Sequence, residues 1–179
     1  TLEQVQAGRD AKAFAERKGE WAYPGPISHI PKVLAPPIDR KFFAMTVDLV
    51  IEGDSNSGPI FAFGGALGGM GLYLDDGKPA FVQRGMDGSI DVVRSSKRLG
   101  AGKHVLTLNV DRAPDGPGKM IAIKADGKVV LSQKSEFQQP MLSAESFDVG
   151  LDEGTTVSPA YPAGTKFPGQ IENIVFQLR

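Results

Sequence analysis

The chain has 179 residues, is 41% hydrophobic and 23% charged, and carries a net charge of −1 from 20 basic and 21 acidic side chains. That balance excludes the basic excess expected of a nucleic-acid or anionic-membrane surface, and no apolar run reaches the ~18 residues of a membrane span. The absence of cysteine excludes disulfides, thiol nucleophiles and thiolate-held zinc.

A chain of this size buries roughly 70% of its unfolded surface and holds a core without staples. In chain order, residues 1–20 read as a short N-terminal helix. Leu2, Val5, Ala11, Phe14 and Ala15 are set among charged helix formers, with Gly19 as the stop. Residues 21–41 form a proline-rich connector. Pro24, Pro26, Pro31, Pro36 and Pro37 rule out a helix there, and Trp21, Tyr23, Ile27, Ile30 and Leu34 give it enough apolar weight to lie on a surface. Trp21, Tyr23 and the helix are the expected parts of any exposed docking patch.

Residues 42–179 carry strand signals throughout. Phe43, Met45, Val47 and Leu49 alternate onto one face. Asp76-Gly77 and Asp126-Gly127 each sit between apolar runs, and Asp-Gly accepts the positive φ angles of a tight hairpin. Lys103–Val110 alternates cleanly, and Phe147–Leu151 and Ile171–Leu178 complete about ten short strands. Such spacing predicts an all-β, antiparallel two-sheet jelly-roll sandwich. The last two strands are expected to close it beside an earlier one.

The glycine-rich segment Gly64–Gly71 lacks the Gly-Lys-Ser/Thr ending of a phosphate loop, so its expected purpose is close backbone approach. Asp148, Asp152 and Glu153 form an acidic loop with two readings. They supply oxygens to calcium, or the aspartates accept backbone N–H groups and fix a tight turn. Tyr73 and Phe81 flank the first Asp-Gly turn and are the candidate rings for stacking on a sugar. His29 and His104 are 75 positions apart, and no spacing predicts that they converge as a base or zinc pair.

Several motifs resemble the C-terminal β-sandwich domain of bacterial arylsulfatases. They are Trp21-Ala22-Tyr23-Pro24-Gly25, Gly64-Gly65-x-x-Gly68-Gly69, Leu72-Tyr73-Leu74 before Asp76-Gly77-Lys78-Pro79, and Asp126-Gly127-Lys128-Val129. The longest is Phe147-Asp148-Val149-Gly150-x-Asp152-x-Gly154, with Tyr161 and Phe167-x-Gly169-x-Ile171 behind it. The resemblance covers residues 21 to 178 and implies a concanavalin-like or laminin-G-like fold docked on a separate catalytic domain. Sulfatase chemistry itself is not expected. The nearest counterpart of the Cys/Ser-x-Pro-x-Arg nucleophile motif is Ser57-Gly58-Pro59-Ile60-Phe61, with Phe in place of Arg. Two roles therefore stand: a non-catalytic accessory domain whose partner is a sulfatase catalytic domain, or a free-standing glycan-binding module in the periplasm or outside the cell.

Overall fold

The computed structural model describes residues 6, 9, 13, 19–53, 56–139 and 145–179. Twelve strands build two six-stranded antiparallel sheets. In chain order they are β1 (Glu20–Tyr23), β2 (Ile27–Ile30), β3 (Phe43–Ile51), β4 (Gly58–Gly65), β5 (Gly68–Asp75) and β6 (Lys78–Arg84). Then come β7 (Ile90–Arg94), β8 (Gly102–Arg112), β9 (Lys119–Ala125), β10 (Lys128–Ser135), β11 (Phe147–Val149) and β12 (Gly169–Leu178). The first sheet runs β1-β12-β3-β8-β9-β10 and the second β2-β11-β4-β5-β6-β7. This is the jelly-roll sandwich that the alternation and turn spacing predict.

Alternating side chains on β3, β8, β9 and β12 face those of the second sheet, so Met45, Val47, Leu106, Leu108, Ile121, Ile123, Ile174 and Phe176 meet Phe61, Phe63, Leu72 and Phe81 in one core. Asp76 and Gly77 take φ of 49° and 71°, and Asp126 and Gly127 take 50° and 77°. Both residues of each turn are left-handed, as a two-residue type I′ hairpin requires.

The proline-rich connector differs from expectation. It contributes an edge strand to each sheet: β1 pairs with β12, and β2 pairs with β11. Pro24 and Pro26 fall in the short link where the chain crosses from one sheet to the other, so neither strand loses a ladder donor. Trp21 is 5% exposed and Tyr23 packs on Phe147, so these rings belong to the core and do not form a docking patch. Of the expected N-terminal helix, Gln6, Arg9 and Ala13 have helical conformation and are exposed. The remainder of that expectation up to residue 18 lies outside the described residues, and Glu20 already belongs to β1.

The stretch 147–178 closes the sandwich as expected. β11 inserts between β2 and β4, and β12 between β1 and β3. The segment between them crosses the outer face of the second sheet, where Val157 and Tyr161 pack with Ala62, Tyr73, Ala80 and Val82 in a second apolar cluster. The glycines of β5 permit that approach. A Cβ on Gly71 would stand 3.0 Å from the Val157 methyl and 2.8 Å from the Phe61 carbonyl oxygen. The second sheet is thereby covered on both faces, and every residue of β4 is buried.

Candidate functional site

A sandwich stacked from alternating strands should present apolar side chains at every inward position. At one end, three strands break that rule. Gln83 on β6 continues the inward series of Phe81, Asp91 on β7 that of Val93, and Lys119 on β9 that of Ile121 and Ile123. With Ser135 at the end of β10 they form one directional hydrogen-bond chain. The Lys119 ammonium donates to Gln83 Oε1 at 2.5 Å, and Gln83 Nε2 donates to Ser135 Oγ at 3.0 Å. The Ser135 hydroxyl then donates to Asp91 Oδ2 at 2.6 Å. Gln83 and Ser135 are 1% and 3% exposed.

The chain of donors fixes the amide orientation of Gln83 and puts opposite charges at its two ends. Burial pushes the Lys119 ammonium below its ordinary value, and the Asp91 carboxylate pulls it partly back. Among the described residues Lys119 has no direct ion-pair partner.

Lys119 and Gln83 line a cleft of about 180 Å³ whose apolar wall includes Phe43, Met70, Phe81 and Val110. The segment before β3 supplies the opposite side, with Asp39, Arg40, Lys41 and Phe42. Asp39 is bound by Lys32 Nζ at 2.9 Å and lies 3.7 Å from Arg40 Nε, so its charge is already answered. Arg40 and Lys41 are exposed at the rim. Phe42 lies under the Arg112 guanidinium at 5.7 Å. The β4–β5 and β6–β7 turns at this end carry the exposed apolar residues Leu67 and Met86.

The residues singled out from sequence lie elsewhere. Phe81 is in the core between the sheets, and Tyr73 is 3% exposed beneath Tyr161, with ring centroids 5.5 Å apart. Neither offers a ring face to a ligand; both are packing residues, because β5 and β6 lie at the centre of a sheet covered on both sides.

Asp148 lies on β11, and Asp152 and Glu153 lie in the loop that follows it. Asp148 Oδ1 accepts the His29 N–H at 2.7 Å, and its Oδ2 accepts the Glu153 N–H at 3.3 Å. Asp152 Oδ2 accepts from the Val157 N–H at 3.0 Å and the Tyr161 hydroxyl at 2.9 Å. Glu153 stands 2.8 Å from His29 Nδ1. Among the described residues no group of three or more His, Asp or Glu side chains is arranged to hold a metal. Calcium needs six to eight oxygens, and of the four aspartate oxygens only Asp152 Oδ1 is without a donor among the described residues. Millimolar calcium is therefore expected to leave the melting temperature unchanged. A rise of several degrees would place a cation on this loop.

The second histidine has a different set of partners. His104 Nδ1 lies 2.8 Å from Asp126 Oδ2, and Nε2 lies 2.9 Å from the Gly100 carbonyl oxygen, which ties the β9–β10 turn to the start of β8.

Sequence reasoning missed the cleft because its residues come from five strands and one connector, with no local spacing to join them. One signal was present: Gln83 sits where the alternation of β6 calls for an apolar side chain.

No family model matches the chain, and no curated protein matches it either. Solved structures do. The fold is similar to the carbohydrate-binding module CBM40 of the Ruminococcus gnavus IT-sialidase, seen bound to α2,3-sialyllactose. That match has a TM-score of 0.66 and 14% identity, over 88% of this chain and 91% of the other. It is also similar to a part of the leech intramolecular trans-sialidase, at a TM-score of 0.62 and 14% identity, over 88% of this chain and 25% of that one. Domain 4 of an extracellular GH43 arabinanase from Geobacillus stearothermophilus, in complex with arabinotriose, matches at a TM-score of 0.54 and 16% identity. That match covers 77% of this chain and 61% of the other. These likenesses bear on the jelly-roll fold, and none connects the chain with arylsulfatase C-terminal domains. No helix among the described residues is long and apolar enough to cross a membrane.

Proposed function

We propose that this chain is a non-catalytic glycan-binding module, acting in the periplasm or outside the cell. The observation that carries the reading is the polar chain Lys119-Gln83-Ser135-Asp91 at inward positions of an otherwise apolar sandwich, opening on a cleft. Burying these groups costs desolvation that apolar residues would avoid, and a site of oriented donors and acceptors over an apolar floor suits a sugar. The carbohydrate-binding modules that share the fold support it. A glycan array of neutral and acidic oligosaccharides tests it: the expected result is a defined set of bound glycans, and a blank array would sink the reading.

A second reading is favoured by a different feature. An apolar groove of about 430 Å³ runs beside the edge strand β2, lined by Pro26, Ile27, Leu151, Phe167 and Ile171, with Glu153 and Lys166 in its wall. Together with the sequence motifs that resemble those of arylsulfatase C-terminal domains, this suits a domain that packs on a sulfatase catalytic domain. Sedimentation of the chain mixed with such a catalytic domain distinguishes the two, since a docking domain forms a complex that Ile27→Asp abolishes.

A further inference from the structure

We infer that the cleft recognises an anionic saccharide, with the Lys119 ammonium contacting a carboxylate or sulfate on the sugar and Arg40 and Lys41 drawing that charge to the rim. The inference rests on the glycan-binding reading and names the ligand class of the same site.

Lys119 carries three N–H donors, and Gln83 Oε1 takes one of them. The carboxylate in the network does not answer its charge directly. Asp91 Oδ2 is occupied by the Ser135 hydroxyl at 2.6 Å, with Gln83 Nε2 at 3.5 Å. The network thus holds its negative end away from Lys119 and leaves a half-buried ammonium with spare donors beside the cleft.

Asp39, the acid that lines the cleft, is bound by Lys32. Lys41 makes no ion pair among the described residues, and Arg40 approaches only Asp39, at 3.7 Å. The positive charge that remains is satisfied by an oxyanion, and charge-assisted bonds to one are about twice as strong as neutral bonds. The cleft of about 180 Å³ is on the scale of a ~150 Å³ cavity that takes one six-membered ring. A neutral oligosaccharide would leave the desolvated ammonium with only the indirect Asp91 charge to answer it, so the site also selects against it.

The test is titration calorimetry on the whole chain with 3′-sialyllactose for a carboxylate, an N-acetylglucosamine 6-sulfate disaccharide for a sulfate, and lactose as the neutral control. One of the two acidic probes is expected to bind at least tenfold more tightly than lactose, and to weaken as salt is raised. Which acidic probe wins tells the two anions apart. Lys119→Met keeps the length of the side chain and removes its charge, and it should weaken the acidic probe at least tenfold, bringing its affinity toward that of lactose. Arg40→Ala, on the exposed rim where folding is not at stake, should slow association severalfold. Acidic binding that survives both substitutions would overturn the site assignment. Lactose bound as tightly as the acidic probes would overturn the ligand class while the glycan-binding reading stands. A glycan array on which nothing binds would remove that reading itself.

Discussion

Phe147→Ala is expected to cost about 4 kcal/mol of folding stability, within the roughly 3–5 kcal/mol range for deleting a buried phenylalanine. Phe147 is fully buried, and its ring meets four others: Tyr23 at 5.5 Å, Phe176 at 5.4 Å, Phe63 at 5.7 Å and Phe61 at 6.1 Å between centroids. Those partners come from both sheets, so one ring joins β1 and β12 on one side to β4 on the other. The cavity has little means of collapsing, because β11 is three residues long and paired on both edges, with Ile30 and with Phe63. Against a total stability of roughly 5–15 kcal/mol, that loss brings the chain close to unfolding. Urea denaturation measures it. Phe147→Leu should return more than half of the loss, since a branched aliphatic side chain refills most of the volume. A cost below about 2 kcal/mol for the alanine variant would show that the surrounding rings close the gap, and that Phe147 is not the joint between the two sheets.

The same residue shows what is legible in the sequence. Phe147 lies in a short apolar alternation bounded by glycine, and that local pattern is enough to identify a strand near the end of the chain. The two hairpins at Asp76-Gly77 and Asp126-Gly127 are legible for the same reason, because the turn chemistry is contained in two adjacent residues. Edge strands β1 and β2 are hidden. Each is four residues long, and the pair is separated by Pro24 and Pro26. Their partners are β12 and β11, more than a hundred positions away, so no local period reports the pairing. The burial of Tyr73 is hidden for a related reason. It depends on Tyr161, which reaches Tyr73 across the outer face of the second sheet. The candidate cleft depends even more on long-range register: Gln83 and Lys119 are inward-facing only once the sheets are stacked.

Asp152 is expected to make stability fall as pH rises from about 4 to 6. Its carboxyl is fully buried, and burial pushes it from 3.8 up to about 6, with Asp148 and Glu145 adding repulsion. The bonds from the Val157 N–H and Tyr161 hydroxyl oppose the shift. One carboxylate oxygen, Oδ1, has no partner among the described residues, which is where burial costs the charged form most. An acid with a raised folded-state value binds a proton in the folded chain before the unfolded chain does. The stability linked to that proton is complete below about 4, is lost as pH rises through about 6, and is gone above that. Two pH units correspond to roughly 3 kcal/mol. Asp152→Asn, uncharged at every pH, should lack this fall, so the difference between the wild-type and Asn curves isolates it in urea melts at pH 4, 5, 6 and 7. Tyr161→Phe removes a donor that favours the carboxylate, so it should move the midpoint above 6. Parallel curves for wild type and Asp152→Asn would show that Asp152 ionises as freely folded as unfolded. The residues that Asp152 holds are the ones that cover the second sheet: the Val157 N–H ends at its carboxylate, and the Val157 methyls rest on Gly69 and Gly71 at 3.0 Å from where a Cβ would be. Ionising this one buried acid therefore acts on the cover of the outer sheet face, on the opposite side of that sheet from Gln83 and the polar end of the sandwich.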